Sequence, residues 1–370
     1  MATTSKESKY HILYVDDEVD APERTAKRIS KAPSLTCELV APPILDLKSL
    51  EIFLGKETDL YLIDQDLGKE RGYLGSSLVG HIRSKHPDVP IVLISRSFIL
   101  RQRLKGRVAR GFERLHMVDD LVTKGDVNDH LEEMQGVLET LADGYARLRK
   151  MRPKGIDLRA VVGATEEEFD ELREASPPVA DEGDLPFMIA EWIRNTLLAY
   201  PGPLLSPLHS AVLLGISPEA FREERVRERF GSARYEGLFS PPEGRWWKRR
   251  LLRTAGSICT EAGRDGPVRD NLRFALGPVG SPLPPPRCVW DGSEGANAIC
   301  AVLHRPVKTA HSLRYYPDQR PSVMDEARIS FRAIQTHDEY DEDLLDSSGR
   351  LLVRDIEELD IPANPYPDAP

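Results

Sequence analysis

Acidic residues follow two short apolar segments in the first third of the chain. Asp16 and Asp17 come directly after His11–Val15. Asp64 comes directly after Leu60–Ile63. Carboxylates brought together repel one another unless a cation lies between them, and a cluster of hard oxygen ligands suits Mg²⁺. These acids therefore predict a magnesium site, in which an aspartate can act as nucleophile toward a phosphoryl group.

Two further polar residues follow the next apolar segments. Ser95 follows Ile91–Ile94, and Lys124 follows Asp120–Thr123. Phosphoryl transfer depends mainly on neutralising charge on the oxygens of the transferred group. At this site a metal ion can bind one phosphoryl oxygen, and the Lys124 ammonium can pair with a second. The Ser95 hydroxyl can donate a hydrogen bond to the third.

The apolar segments are predicted to be strands of one parallel sheet. They alternate with helical patterns, which indicates βαβ units, and Thr36–Val40 supplies the fifth strand. The helices are predicted at Pro22–Ser30, Leu47–Leu54, Tyr73–Lys85 and Ser97–Leu115, with a last helix from Val127 onward. Such sheets bind ligands outside the carboxyl ends of their strands, where the strand order reverses. All the polar residues named above fall at that edge.

The order of these residues resembles the receiver family of two-component signalling, over about Lys9–Leu141. In that family an acid pair follows strand one, the phosphorylated Asp ends strand three, a Thr or Ser ends strand four and a Lys ends strand five. The resemblance implies an α/β fold with a flavodoxin-like, doubly wound, five-stranded parallel sheet. It assigns metal binding to Asp16, Asp17, Asp64 and the backbone carbonyl of Asp66, phosphoacceptance to Asp64, the switch hydroxyl to Ser95, and phosphate pairing to Lys124. Gly72 falls where the family usually has a glycine.

Several positions depart from the family pattern. Gly68 and Gly125 stand where proline is common, and Leu121 stands where many members carry the switch aromatic residue. Arg96 replaces the small residue that usually follows the hydroxyl. A guanidinium there would contact the phosphoryl group or shield it from water, so Arg96 joins the predicted phosphate-contacting residues.

Beyond the last strand, apolar residues recur at spacings of three and four. They are Leu131, Met134, Leu138, Leu141, Tyr145 and Leu148. The pattern predicts a last helix that continues toward Met151, longer than a receiver domain needs. Its apolar stripe either packs on the chain's own sheet and the next domain, or forms a homodimer through 131–148.

Composition shifts divide the chain further. We predict a receiver domain over 1–150, an exposed acidic linker over 151–184 that contains a short helix, and a helical domain over 185–275. A mixed α+β region over 276–360 and a disordered tail over 361–370 follow. The C-terminal half is thus mainly helical α+β, and no output family is recognised in it.

The segment 206–230 resembles a helix-turn-helix. Ser206 and Ser217 each precede a proline, which is typical of a helix start, and Gly215 suits the turn between two helices. DNA binding would make the protein a transcriptional response regulator. A plain helical hairpin is favoured, because Glu219 and Glu223 would face DNA. Trp246-Trp247 is predicted to belong to a core.

Five residues near the C-terminus have the types found in thiol hydrolases and zinc sites: Cys288, Asp291, Cys300, His304 and His311. Their spacing matches no recognised motif, and the apolar neighbours of Cys300 indicate a small core residue. An enzymatic output domain is a second alternative function. Self-dephosphorylation is otherwise the only catalytic activity expected.

Composition limits the partners. The chain has 370 residues and a net charge of -10, which does not favour nucleic acid. No apolar run approaches the roughly 18 residues that cross a bilayer, so a cytoplasmic protein without membrane association is expected. The predicted cofactor is Mg²⁺. The predicted partners are a histidine kinase, acting on Asp64, and a protein that binds the C-terminal region.

Overall fold

The computed structural model describes residues 9–41, 57–65, 67, 75–95, 117–125, 129–172, 185–278, 280–315, 323–336, 345, 352–353 and 355–357. They fall into two compact units. One contains the described residues up to 161 together with 185–193, and the other contains 162–172 and the described residues from 194 onward. The predicted helices Leu47–Leu54 and Ser97–Leu115 lie outside the described residues. None of the helices in the described part of the chain is long and apolar enough to span a membrane.

A five-stranded parallel sheet forms the centre of the first unit. Its strands are β1 (Tyr10–Val15), β2 (Leu35–Val40), β3 (Leu60–Asp64), β4 (Ile91–Ser95) and β5 (Asp120–Thr123). They lie in the order β2-β1-β3-β4-β5, which is the flavodoxin-like doubly wound order. Every residue of β3 and β4 is buried, as expected for strands covered on both faces. The predicted fold class of this region is confirmed.

Helices accompany and follow this sheet. They are α1 (Asp20–Ile29), α2 (Gly75–Lys85), α3 (Leu131–Met151), α4 (Leu158–Val162), α5 (Glu166–Leu172) and α6 (Leu185–Trp192). The long last helix predicted from the apolar spacing is confirmed as α3. Helix α6 belongs to the first unit, where it packs against α3.

The apolar stripe of α3 packs within the chain. Met134, Leu138, Leu141, Tyr145 and Leu148 are all buried, and α3 contacts α1, α6, β1 and β3. This burial supports the first expected arrangement, packing on the chain's own sheet, whereas a homodimer through 131–148 stays a prediction. Side chains that are buried within one chain offer little apolar surface to a second copy.

The acidic segment expected to be an exposed linker is partly buried. It contains the expected short helix, α5, but Glu168 and Leu172 of that helix are buried in the second unit. Thr165 and Glu168 form a reciprocal helix cap: each accepts a hydrogen bond from the other's backbone N–H. The finer boundaries near residues 275 and 360 stay predictions.

The second unit begins with helices around two paired tryptophans. Its first elements are β6 (Leu204–Leu205), α7 (Pro207–Leu214), α8 (Pro218–Arg222), α9 (Glu224–Arg229), β7 (Trp246–Trp247), α10 (Lys248–Glu261) and α11 (Val268–Leu276). Trp246 and Trp247 are each 1% exposed, and Trp246 packs edge-on against Phe221. The core role of the tryptophan pair is confirmed, although the pair lies on a strand.

The helix-turn-helix resemblance is not borne out by the backbone. Ser206 and Ser217 cap α7 and α8 as predicted, and Gly215 ends α7 with a φ of 75°. The expected second helix is interrupted at Glu223, whose ψ of 129° separates α8 from α9. The two pieces have five and six residues, too short to form the continuous helix that reads a major groove.

A four-stranded sheet follows in the second unit, with the order β10-β11-β8-β9. The elements are β8 (Ala298–Cys300), β9 (Arg305–Val307), β10 (Ser312–Tyr315), β11 (Ala327–Ser330) and α12 (Phe331–Gln335). Cys300 is fully buried in the core of this sheet, which confirms its predicted core role. The C-terminal half is thus mixed, with more helix than strand.

Candidate functional site

The register of the first sheet aligns the predicted polar residues. Val15 of β1 pairs with Ile63 of β3. The next residues along these two strands are Asp16 and Asp64, which therefore lie side by side. On the other side of β4, Ser95 pairs with Thr123, directly before Lys124. The carboxyl ends of all these strands face one edge of the sheet, because the strands are parallel.

Lys124 links the two buried acids of this edge. Its Nζ lies 2.7 Å from Asp64 Oδ2 and 3.1 Å from Asp16 Oδ2. Asp16, Asp17 and Asp64 each offer a carboxylate oxygen, and these oxygens lie within 4.8 Å of one another. Among the described residues of this edge, three carboxylates lie beside the Lys124 ammonium, and this excess of negative charge fits a divalent cation. The ligands are all hard oxygens, so the residues present fit Mg²⁺.

Asp16 is held in one orientation by its neighbours. The carboxyl group is fully buried. Its Oδ2 accepts a hydrogen bond of 2.8 Å from the Tyr14 hydroxyl, and its Oδ1 accepts one of 2.9 Å from the Glu18 backbone N–H. Burial, followed by the Asp16 charge and this hydrogen bond, raises the pKa of Tyr14 far above its usual value. The phenol therefore stays protonated and remains a donor to Asp16.

Lys124 is held as a cation by the same acids. Burial alone would lower the pKa of its ammonium, but the hydrogen bonds and charges of Asp64 and Asp16 outweigh burial and raise that pKa. The ammonium therefore stays charged and placed to pair with an anion bound at Asp64.

Ser95 ends β4 at the same edge. The residue is 6% exposed, and its backbone carbonyl accepts a hydrogen bond of 2.8 Å from Lys124 N. This contact ties the ends of β4 and β5 together. Two predicted site residues, Asp66 and Arg96, lie outside the described residues, as do Gly68 and Gly72.

Gly75 is a site residue that the sequence reasoning missed. A Cβ added to Gly75 would overlap the backbone carbonyl oxygen of Asp64, and Gly75 N donates a hydrogen bond of 2.9 Å to Gln65 O. Only a residue without a side chain allows α2 to start this close to β3. The signal in the sequence was a second glycine three residues after Gly72, at the start of a predicted helix.

A buried ion pair lies at the other end of the sheet, before β4 and β5. Asp119 Oδ2 accepts hydrogen bonds of 2.6 Å from Arg83 and 2.8 Å from Ile91 N. Its Oδ1 accepts one of 2.5 Å from Tyr145 of α3. This network is far from the acidic edge along the strands. It joins α2, the sheet and α3 within the first unit.

No protein-family model and no curated protein matches the sequence. Solved structures that are similar to it include a response regulator protein, TrrA, from Thermotoga maritima in complex with Mg²⁺-BeF: 23% identity, 35% of this chain, 98% of that chain and a TM-score of 0.27. A receiver domain protein from Methanospirillum hungatei matches at 20% identity over 37% of this chain and 98% of that chain, with a TM-score of 0.28.

The strand order assigns the first unit to a fold class. An order of β2-β1-β3-β4-β5 with acids at the carboxyl ends of β1 and β3 defines a flavodoxin-like, doubly wound domain. The similarity to the response regulator protein and the receiver domain protein, at 23% and 20% identity, is a similarity of fold.

Proposed function

We propose that the chain is a cytoplasmic response regulator whose Asp64 accepts a phosphoryl group from a histidine kinase. The observation that supports this most directly is the position of Asp64 at the end of β3. Its carboxylate lies 2.7 Å from the Lys124 ammonium and within 4.8 Å of the carboxylates of Asp16 and Asp17. A carboxylate with both an acid pair and an ammonium beside it has what phosphoryl transfer needs.

In the proposed reaction a carboxylate oxygen of Asp64 forms a bond to phosphorus, and the P–N bond to the kinase histidine breaks. Bound Mg²⁺ would neutralise charge on the transferred group. Tyr14 and the Glu18 N–H hold Asp16 in place as a ligand. Lys124 pairs with one phosphoryl oxygen, and we assign Ser95 as donor to another. Arg96 would contact the group or limit its hydrolysis.

Phosphorylation adds nearly two negative charges at neutral pH. Lys124, which pairs with both Asp64 and Asp16 before phosphorylation, would shift toward the phosphoryl group. Ser95 would move toward the same group, and the carboxyl ends of β4 and β5 would follow. We propose that this change alters the binding of a protein partner by the C-terminal half.

Transcriptional control is the less favoured output. The interruption at Glu223 removes a continuous reading helix, and the basic residues of α9 are partly engaged within the unit. Arg225 pairs with Glu223 and Arg229 with Glu261. No shift of genomic fragments at low salt is therefore expected, with or without phosphodonor. A specific complex in that assay would restore the DNA-binding function.

The acceptor is tested by incubating the full chain with Mg²⁺ and a small phosphodonor such as acetyl phosphate. One hydroxylamine-labile phosphoryl group per chain is expected by intact-mass measurement. Asp64→Asn should abolish it, and chelation of Mg²⁺ should prevent it. Asp20→Asn, an exposed acid at the start of α1, serves as the control and should be labelled like the wild type. Full labelling of the Asp64→Asn variant would refute the choice of acceptor.

A further inference from the structure

Three side chains of the second unit meet beside the four-stranded sheet. Cys288, Asp291 and His311 each offer one potential ligand atom, and these atoms lie within 4.8 Å of one another. The thiol is 2% exposed, whereas the His311 and Asp291 side chains are 27% and 36% exposed. The cluster is thus anchored in the core on one side and open to solvent on the other.

Two turns bring these residues together. In the first turn, Cys288 O accepts a hydrogen bond of 2.8 Å from Gly292 N, and Cys288 N donates one of 2.8 Å to Ser293 O. Gly292 has a φ of 68°, which favours glycine. In the second turn, Asn297 Oδ1 accepts hydrogen bonds from Thr309 N and Oγ1, at 2.8 and 3.0 Å, two residues before His311.

The thiol and the carboxylate both face the same nitrogen of His311. Cys288 Sγ lies 3.5 Å from Nδ1, and Asp291 Oδ2 lies 3.6 Å from that same Nδ1. A nucleophile–base–acid relay requires the two partners to contact different ring nitrogens, because the base accepts a proton on one and donates from the other. Convergence on one nitrogen instead fits three ligands around a shared ion.

Two of the three spacings in the cluster match those around a tetrahedral zinc ion. Zn–S distances of about 2.3 Å and Zn–N or Zn–O distances of about 2.1 Å place neighbouring ligand atoms about 3.4 to 3.6 Å apart. The distances from His311 Nδ1 are 3.5 Å to the sulfur and 3.6 Å to the carboxylate oxygen. His311 Nδ1 therefore already lies at the ligand spacing of such an ion from both of its partners.

Hydrogen bonds around the cluster orient the ligand atoms. Ser293 N and Oγ donate to Asp291 Oδ1, at 3.0 and 2.5 Å, and leave Oδ2 directed at His311. Lys308 N lies 3.4 Å from Cys288 Sγ and donates to it. Outer contacts of this kind fix the geometry of metal ligands and stabilise a thiolate.

We propose that Cys288, Asp291 and His311 bind Zn²⁺ and leave its fourth position to water. A thiolate, a carboxylate and a neutral imidazole balance the charge of the ion. The soft thiolate favours zinc over Mg²⁺, whose ligands are oxygens. Three protein ligands with one open position characterise zinc centres that activate water. This inference concerns the second unit and does not depend on phosphorylation of Asp64.

The test uses the full chain, stripped of metal with a chelator and then titrated with Co²⁺ in excess Mg²⁺. Cobalt reports a thiolate ligand through its charge-transfer absorption, which carboxylates of the acidic edge do not produce. One equivalent of Co²⁺ with this absorption is expected, and one equivalent of Zn²⁺ should displace it. Absence of the absorption in the folded wild type would refute the proposal.

Variants separate the ligands from their neighbours. Cys288→Ser should abolish the thiolate band, and Asp291→Asn and His311→Gln should each weaken Co²⁺ binding by about tenfold or more. Cys259→Ala in α10 and His304→Asn next to β9 are the controls and should bind like the wild type. Near-UV circular dichroism establishes that each variant is folded. An unchanged affinity in both Asp291→Asn and His311→Gln would overturn the assignment.

Discussion

The Lys124 ammonium neutralises part of the negative charge at the acidic edge. It contacts Asp16 and Asp64 at once, so these two buried acids share the Lys124 cation. The types and positions of these three residues were predictable, because each directly follows a predicted strand. The orienting contact from Tyr14 to Asp16 was not, because a buried tyrosine within a strand looks like any other core residue.

Glu168 makes the corresponding buried ion pair in the second unit. Its carboxylate accepts hydrogen bonds from Arg250 Nε at 2.8 Å and Nη2 at 2.6 Å, and from Thr165 N at 2.9 Å. Burial alone would raise the pKa of Glu168. The hydrogen bonds from Arg250 and Thr165 and the Arg250 charge outweigh burial, so that the pKa is lowered below 4.5.

Glu168→Gln should lower the free energy of unfolding of the second unit by about 2 kcal/mol at neutral pH, because it leaves a charged Arg250 without its partner. Since the folded pKa lies below the unfolded one, the contribution of Glu168 is complete above pH 4.5 and is lost as the pH falls through the folded pKa. Urea denaturation of both proteins across this range, with hydrogen exchange of α5 and α10, measures the difference.

Glu167→Gln is the matched control for this experiment. The Glu167 side chain is 64% exposed and pairs with Arg249 at the surface, where ion pairs contribute little. Its unfolding midpoint should equal that of the wild type. An equal loss in both variants would mean that the buried pair has no special role.

Helix α3 shows how packing resolves an ambiguous pattern. Spacings of three and four residues suit both a homodimer seam and a helix packed on its own sheet. The contacts of α3 with β1, β3, α1 and α6 support the second. The segment that resembles a helix-turn-helix is a similar case. The sequence predicted the helix caps at Ser206 and Ser217, but it did not predict the interruption at Glu223.

Leu138→Ala should lower the free energy of unfolding of the first unit by about 2 to 5 kcal/mol, because the side chain is 0% exposed and its removal leaves a cavity. Hydrogen exchange of β1 and β3 during urea denaturation measures the loss. Glu139→Ala, at an exposed position of the same helix, should change these values little.

Sedimentation distinguishes the two packing arrangements. If α3 packs only within the chain, the wild type and Leu138→Ala have the same oligomeric state. A wild-type dimer that dissociates in the Leu138→Ala variant would show that the stripe serves association after all.

At the scale of the whole molecule, the chain combines two clusters of different chemistry in two compact units. The acidic edge offers hard oxygen ligands, whereas the cluster of Cys288, Asp291 and His311 includes a sulfur and a nitrogen. Ligand hardness should therefore keep their metals apart: Mg²⁺ at the first and Zn²⁺ at the second.

Each site should thus tolerate the loss of the other. Asp64→Asn should bind Co²⁺ with its thiolate absorption and an affinity within about twofold of the wild type, since it keeps every ligand of the second cluster. Cys288→Ser should be phosphorylated by acetyl phosphate to the same extent as the wild type. Loss of phosphorylation in a folded Cys288→Ser variant would show that the two sites are coupled.

Local sequence patterns were sufficient to predict the parallel sheet and the polar residues at its acidic edge. Continuous apolar segments with one polar residue after each are a short-range signal, and parallel strands must bring those residues to one edge whatever surrounds them. The positions of Asp16, Asp64, Ser95 and Lys124 follow from that rule alone.

Contacts between residues far apart in the sequence determined the buried pair of Glu168 and the cluster around Cys288, which the sequence did not predict. Glu168 belongs to an acidic segment whose composition predicts exposure to solvent. Its burial is favourable because its carboxylate pairs with Arg250, 82 residues away. Cys288 and His311 are 23 residues apart in no recognised motif, and two turns held by backbone hydrogen bonds bring them to 3.5 Å. Such pairings depend on how separate turns and helices meet, and a pattern along the chain does not contain that information.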